Sequence, residues 1–177
     1  MAAATPTELT GVERKAIAAD LETIRAQEDA LVFSHFDADV ALQLGLALRD
    51  AALAQQVAVT IDIRQGDNIL FFHAMPGTAP ANADWARRKR NVVELLRRSS
   101  YAVGLEIRLT GDPLDGKMAL PLRDYAAHGG CFPIRVTGAG HCGTVTVSGL
   151  PQREDHKLVV GVLAQMLGKD LAVLKLD

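Results

Sequence analysis

The residues with the greatest chemical potential lie on one basic segment, where Asn82, Trp85 and Lys89 recur at three- and four-residue spacing. That spacing places all three side chains on the same face of a helix. An aromatic ring beside an ammonium group, with Arg88 nearby, could hold a small anionic or carboxylate-bearing ligand. Two plainer interpretations stay open: Trp85 anchors a core or a subunit interface, and the cationic run is a solvated helix face.

A second candidate feature is the turn Ser148-Gly149-Leu150, which precedes the last predicted helix. Backbone amides at a helix N-terminus have no partner within the helix and attract anions. Asp155 and His156 fall in the first turn of that helix, where they either cap it or line the same site. The tentative ligand-binding set therefore includes Ser148, Gly149, Asp155 and His156.

His73 is a separate candidate, because the predicted hairpin places it on the same face as Asp62, one diagonal step away. A carboxylate at that distance could orient the imidazole for acid–base chemistry. The alternative is a polar pair at an oligomer interface or beneath a helix, and it is favoured because no nucleophile or metal set accompanies the pair.

No metal site is predicted from the two cysteines, Cys131 and Cys142, or from the neighbouring His141. The predicted register sets Cys131 opposite Ser148 and Cys142 opposite Thr137, which separates the sulfur atoms by roughly 20 Å. Neither a disulfide nor a shared tetrahedral zinc ion spans that distance within one subunit.

Haem would need an axial ligand such as an imidazole in an apolar pocket. The chain has five histidines, yet none lies in a motif that compels haem binding, and aromatic residues make up only 5% of the sequence. No cofactor follows from the residues themselves. Phosphate-binding loops, dinucleotide fingerprints, HExxH and nucleophile elbows are also missing, so no catalytic residue is assigned.

These residues must be positioned by a succession of helices and strands. Thr10 and Glu13 have the spacing of a capping box, which predicts a helix to about Glu28. A short strand is predicted over residues 31–36, and Asp37 caps a second helix that ends near Gln55.

Two hairpins follow from alternating apolar residues around turn sequences. With a loop over residues 65–68, the first hairpin pairs Ile63 with Leu70, Ile61 with Phe72, and Val59 with Ala74. With a loop over residues 138–141, the second pairs Phe132 with Val147 and Ile134 with Val145.

The remaining segments are predicted to be mostly helical. Asn82 caps a helix to about Arg98, and residues 84–98 carry six cations against two carboxylates. Residues 101–110 alternate weakly, a helix over 121–128 would end at Gly129-Gly130, and Pro151 begins the last helix. Helices with consecutive hairpins predict an α+β sandwich.

Composition limits the function classes. The 177 residues, 49% hydrophobic and 23% charged with net charge −2, predict one domain over 1–177, with residues 1–10 as a loose tail. Near-neutral charge argues against nucleic-acid or membrane partners. Few cysteines and no leader sequence predict a cytoplasmic protein.

Several longer strings resemble an uncharacterised protein family of bacteria and fungi, within the haem-degrading domain superfamily of HbpS-like and GlcG-like proteins. They are Phe71-Phe-His-Ala-Met-Pro-Gly77, Asn82-Ala-Asp-Trp-Ala-Arg-Arg-Lys-Arg-Asn91, Ser99-Ser100, Gly129-Gly-Cys-Phe-Pro-Ile-Arg135 and Val147-Ser-Gly-Leu-Pro-Gln-Arg-Glu-Asp-His156. The resemblance implies a profilin-like α+β fold with a central antiparallel sheet of about five strands flanked by helices. It also implies homo-oligomers built from dimers into rings or higher assemblies.

Residues and resemblance together predict a homo-oligomeric protein that binds a small ligand, either a small anion or a tetrapyrrole such as haem. No haem ligand is carried over from the family, because His141-Cys142 stands where its pattern usually has a small or aliphatic pair. Two alternatives stay open: an enzyme that degrades haem or turns over a small carboxylate, and an adaptor assembly that recruits protein partners.

Overall fold

A computed structural model describes residues 9–176, so the loose tail predicted over 1–10 lies outside the described residues except for positions 9 and 10. Five strands and seven helices are found in this part of the chain. In chain order they are α1 (Gly11–Ala30), β1 (Val32–Phe33), α2 (Ala38–Ala54), β2 (Thr60–Gln65), β3 (Asn68–Ala74), α3 (Pro80–Leu96), α4 (Ser100–Thr110), α5 (Leu114–Lys117), β4 (Cys131–Val136), β5 (Gly140–Ser148), α6 (Gln152–Met166) and α7 (Leu171–Leu174).

The strands form one sheet in the order β1-β4-β5-β2-β3, which confirms the predicted α+β fold with five strands. The sheet is mixed, however, because β1 pairs with β4 in parallel while the other pairs are antiparallel. Parallel neighbours need a long crossover connection, and most of the chain lies between β1 and β4.

The predicted register of the first hairpin holds only next to the turn, where Arg64 pairs with Ile69. A bulge between Ile63 and Arg64 then shifts the pairing by one residue, so Ile61 lies opposite His73. A bulge adds one unpaired residue to a strand, which hydrophobic alternation alone does not reveal. Asp62 and His73 consequently point to opposite faces of the sheet, so the prediction that they share a face is wrong, and with it both the acid–base pair and the polar pair.

The second hairpin keeps the predicted faces but is displaced by two residues. Phe132 pairs with Val145 and Cys131 with Thr146, because the turn over 137–139 begins earlier and is shorter than predicted, and a bulge between Ile134 and Arg135 shifts the pairing by one residue. Thr146 Oγ1 donates a hydrogen bond to Cys131 Sγ at 3.0 Å, and both Cys131 and Cys142 are free thiols.

The predicted helix starts are correct for α1 and α2, where the Thr10–Glu13 capping box and the Asp37 cap are both formed. The α3 helix begins earlier, at Pro80, and Asn82 caps it from inside by accepting the Ala79 N–H at 2.8 Å. The prediction that Asn82 is the N-cap of α3 is therefore wrong. Ala79 is the N-cap, because Pro80 has a φ preset for the first helical position.

The segment between α3 and β4 departs most from the sequence prediction. Residues 101–110 belong to the regular helix α4, which Ser99 caps by accepting the Ala102 N–H. No helix forms over 121–128, which follow a turn and an irregular path. Gly129 and Gly130 therefore do not end a helix.

The two faces of the sheet differ in polarity. One face forms the main apolar core with α2 and α6, and its members include Leu44, Ile61, Phe132, Val145 and Leu163. The other face lies beneath α3 and buries polar side chains, namely Thr60, Asp62, Thr144, Thr146 and Ser148. None of the helices within residues 9–176 is long and apolar enough to cross a membrane.

Candidate functional site

A cavity of about 240 Å³ opens where α3, the end of β5 and the start of α6 meet. Six of the sequence-predicted residues line it: Asn82, Trp85, Lys89, Ser148, Gly149 and Asp155. His128, Leu150 and Gln152 complete its wall. We call this cavity the Trp85 pocket.

A buried ion pair forms the floor of the Trp85 pocket. Lys89 and Asp155 are 3% and 1% exposed, and Lys89 Nζ lies 2.7 Å from Asp155 Oδ2. Lys89 also donates to the Val147 carbonyl at 3.2 Å. Burial raises the pKa of the Asp155 carboxyl, and the Lys89 ammonium opposes part of that rise.

The sequence predicted that the amides of the turn before α6 are free to bind an anion. In the structure, Asp155 already accepts hydrogen bonds from them. Asp155 Oδ1 accepts the Leu150 N–H at 2.9 Å, and the Gly149 amide also stabilises the carboxylate. The protein's own carboxylate therefore occupies the anion position at this helix start. A ligand must use the remaining donors of the pocket.

Gly130 allows the ion pair to approach the sheet. Its φ is +122°, and a Cβ atom there would lie 2.3 Å from the Val147 carbonyl oxygen and 2.9 Å from Lys89 Nζ. Both the backbone conformation and the space favour glycine. The Gly129-Gly130 pair thus serves close packing rather than helix termination.

Trp85 is half-buried and has Arg88 and His128 as neighbours. The Arg88 guanidinium stacks 4.3 Å from the ring centroid, and the His128 ring meets the indole edge-on at 5.1 Å. Arg88 Nη2 donates to the Leu122 carbonyl at 2.6 Å, whereas its buried Nε–H has no acceptor among residues 9–176. Burial, followed by the charges of Lys89 and Arg88, lowers the pKa of His128.

Two of the predicted site histidines lie outside the pocket. His156 is 1% exposed, and its Nε2 lies 2.8 Å from Gln27 Oε1, with the Tyr101 and Phe132 rings alongside. Burial lowers the pKa of His156 to about 3. His73 is on the sheet edge strand β3, beside Phe71. Neither His156 nor His73 therefore lines the Trp85 pocket.

Most cations of the basic helix are neutralised within the chain. The partners are Asp84 and Asp124 for Arg87, Asp62 for Arg90, Glu94 for Arg97, and Glu28 and Glu106 for Arg98. The local positive surface expected from the sequence is therefore much reduced. Arg88 differs from these, because it contacts a carbonyl and the Trp85 ring instead of a carboxylate.

Sequence reasoning missed His128 and Gln152 as pocket residues. His128 was assigned to a helix that does not form, so its approach to Trp85 could not be foreseen. Gln152 Oε1 accepts the Gly129 N–H at 3.3 Å, a contact set by the close packing of the glycine pair. No cluster of three potential metal ligands is found within the described part of the chain.

The architecture and the pocket define a class: α+β proteins with a five-stranded mixed sheet and a small polar cavity beneath one helix. The family model described as haem-degrading protein HbpS-like matches residues 36–164. The chain therefore belongs to the HbpS-like family.

Relatives with the name UPF0303 protein are similar over nearly the whole chain. The one from Azotobacter vinelandii is 58% identical over 158 residues, which cover 89% of this chain and 95% of that protein. The one from Paraburkholderia phymatum is 55% identical over 160 residues, covering 90% and 97%.

Solved structures show the same fold. The Ybr137w protein superposes with a TM-score of 0.78 at 27% identity, covering 84% of this chain and 87% of that one. HbpS gives 0.60 at 18% identity, with coverage of 76% and 91%. The PduOC:heme complex gives 0.62 at 18% identity, with coverage of 75% and 94%.

Proposed function

We propose that the Trp85 pocket binds a small carboxylate-bearing anion. The observation that carries this proposal is the Lys89 ammonium, which has three N–H donors and uses two of them on Asp155 and Val147. No third acceptor is present among residues 9–176, so one donor is available to a ligand. Lys89 and Asp155 offset each other's charge in the wall, and Arg88, which lies against the Trp85 ring beside the pocket, adds a cation that no carboxylate neutralises among residues 9–176.

Other groups around the pocket support the same ligand class. Asn82 spends its carbonyl oxygen on the Ala79 amide, so its NH₂ group can donate to a carboxylate. The lowered pKa of His128 favours the neutral imidazole, which can donate or accept a hydrogen bond. The Trp85 ring supplies an apolar surface beside these donors.

Haem does not fit this pocket as the chain presents it. The cavity of about 240 Å³ is smaller than the roughly 300–1,000 Å³ that drug-sized ligands occupy. An axial imidazole must face the iron in an apolar pocket, whereas the His128 ring lies edge-on against Trp85 and lines the polar Trp85 pocket as well as the adjoining cavity. We expect a haemin titration to give no sharp Soret band at one haem per chain, and such a band would contradict this assignment.

Calorimetric titration with sodium benzoate tests the proposed function, and benzamide serves as the neutral probe of similar shape. We expect benzoate to bind with a Kd of about 1 mM or tighter, and benzamide at least about tenfold more weakly. Arg88→Gln should weaken benzoate binding about fivefold or more, because it removes the cation that lies against the Trp85 ring beside the pocket.

Arg97→Gln is the matched control, because it removes an arginine of the same region that pairs with Glu94 and is 55% exposed. It should leave benzoate binding unchanged. Equal affinities for benzoate and benzamide, or no binding of either, would overturn the proposal.

A further inference from the structure

A second cavity of about 390 Å³ adjoins the Trp85 pocket, between α3, α4, α5 and the segment that precedes β4. Its wall is mainly apolar and includes Ile107, Pro113, Leu114, Leu122, Tyr125 and Ala127. We call it the apolar cleft. His128 and Gln152 line both cavities, so the two share a wall.

Arg88 connects the two cavities physically. It lines the apolar cleft, while its guanidinium covers the Trp85 ring at 4.3 Å. Its hydrogen bond to the Leu122 carbonyl holds the outer wall of the cleft against α3. The buried Nε–H without an acceptor leaves an unsatisfied donor at this junction, which favours a ligand with an acceptor group there.

The cleft is built by close packing rather than by a loose loop. A Cβ atom at Gly104 of α4 would lie 2.2 Å from the Ala127 carbonyl oxygen, so only glycine lets the segment before β4 approach this helix. Val92, Val103 and Leu114 form a buried apolar cluster beside it. Leu122 exposes apolar surface in this wall, and a ligand that covers this surface removes it from water, which favours binding.

We propose, resting on the function proposed above, that the two cavities form one extended site for an amphipathic carboxylate. The carboxylate group binds in the Trp85 pocket near Lys89 and Arg88. An alkyl or aryl chain passes the shared wall at His128 and Gln152 and lies in the apolar cleft. The ligand class is therefore an organic acid with an apolar chain of several carbon atoms.

A calorimetric series of benzoate, 4-ethylbenzoate and 4-butylbenzoate tests this extension. Each methylene group that leaves water should strengthen binding about threefold to fourfold, so 4-butylbenzoate should exceed benzoate by at least about tenfold. Leu122→Gln should remove most of that gain without changing benzoate binding, because Leu122 lines the apolar cleft and not the Trp85 pocket.

Leu53→Gln is the matched control, since Leu53 on α2 is as exposed as Leu122, at 56% against 55%. It should keep the full chain-length gain. As a second readout, the Ile107 methyl NMR signals should shift with 4-butylbenzoate and stay in place with benzoate.

The outcomes separate the two proposals. If benzoate binds and the longer acids bind no more tightly, the extended site is wrong while the proposed function stands. If the gain survives in Leu122→Gln and the Ile107 signals do not move, the apolar chain lies elsewhere and the extended site is again wrong. If no acid of the series binds, the proposed function itself fails.

Discussion

At the residue scale, both side chains of the Lys89–Asp155 pair are buried, and the proposed function assigns the remaining Lys89 donor to the ligand. Two buried charges are tolerated only because they neutralise each other and contact the backbone. The same dry surroundings strengthen any hydrogen bond that a ligand makes to Lys89.

Removal of one partner should therefore be costly. Lys89→Met leaves Asp155 buried without its cation and should lower the free energy of unfolding by about 3–5 kcal/mol. The double variant Lys89→Met/Asp155→Leu should recover a large part of this loss, because no unpaired charge stays behind. Urea denaturation measures both changes.

Arg49→Met is the control for this pair of variants, because it breaks the exposed ion pair with Asp50. Exposed pairs contribute only about 0–1 kcal/mol, so the loss should be small. A Lys89→Met variant as stable as Arg49→Met would show that the buried pair does not support the fold.

His156 should make the fold sensitive to acid. Its pKa is about 3 in the folded protein and near 6.5 in an unfolded chain, because burial disfavours the charged imidazole. The unfolded state thus binds more protons below pH 6.5, and this stability contribution falls as the pH drops from 6.5 towards 3. The limiting slope is about 1.4 kcal/mol per pH unit.

The His156→Phe variant isolates this contribution, because it keeps a ring beside Tyr101 and Phe132 but cannot be protonated. Its free energy of unfolding, measured by denaturation from pH 7 to pH 4, should fall less steeply than that of the wild type. Parallel curves for the two proteins would contradict the assignment of a neutral buried histidine.

At the element scale, the glycine pair before β4 lets the strand, α3 and α6 meet at the pocket. Gly130→Ala adds a Cβ atom 2.3 Å from the Val147 carbonyl oxygen, so the surrounding backbone must move. We expect a loss of about 2–4 kcal/mol in thermal or urea unfolding, as for other overpacked or strained sites.

Gly138→Ala separates this clash from backbone strain alone. Gly138 also has a positive φ, +79°, yet nothing lies within 4 Å of a Cβ built there. Its replacement should cost only about 1 kcal/mol. Equal losses for Gly130→Ala and Gly138→Ala would show that close packing at the pocket is not the reason for the glycine.

The elements also show what sequence patterns can and cannot predict. Capped, periodic helices such as α1 and α2 were predicted well, because Thr10 and Asp37 provide local signals. The bulge beside Arg64 has no such signal, and it reversed the expected relation of Asp62 and His73. Helical spacing did predict the Asn82, Trp85 and Lys89 face of the pocket, since all three lie on α3. The contribution of His128 depends on tertiary packing alone.

At the scale of the whole molecule, the surface charge is close to the net charge of −2, and the cations of residues 84–98 do not make a large positive surface. The arginines of α3 and its end pair mostly with carboxylates from other segments, such as Asp62, Glu28 and Asp124. These ion pairs therefore hold the helix against the rest of the fold, and Arg88, beside Trp85, is the arginine of this helix that has no carboxylate partner among residues 9–176.

Assembly stays a prediction from the family resemblance, and the sheet offers a place for it. β3 is an edge strand with Ile69 and Phe72 exposed at 57% and 47%, and such an edge pairs readily with another chain. We expect light scattering to give a mass of at least two chains and Phe72→Lys to lower it. Val12→Lys, on the exposed face of α1, should not change the mass.

A monomeric wild-type protein, or full assembly in Phe72→Lys, would contradict the proposed edge contact. Assembly through β3 would leave the Trp85 pocket to each chain separately, because the pocket lies at α3, the end of β5 and the start of α6. Loss of assembly should therefore leave carboxylate binding intact.

The central claim, a carboxylate site at Trp85, is tested most directly by following the indole N–H signal in NMR during a benzoate titration. Trp85 is the single tryptophan of the chain, so its assignment is unambiguous. We predict that the signal shifts and saturates with benzoate, and that Arg88→Gln requires a several-fold higher benzoate concentration for the same shift. An indole signal that stays in place up to saturating benzoate, or that shifts equally with benzamide, would contradict a carboxylate site in the Trp85 pocket.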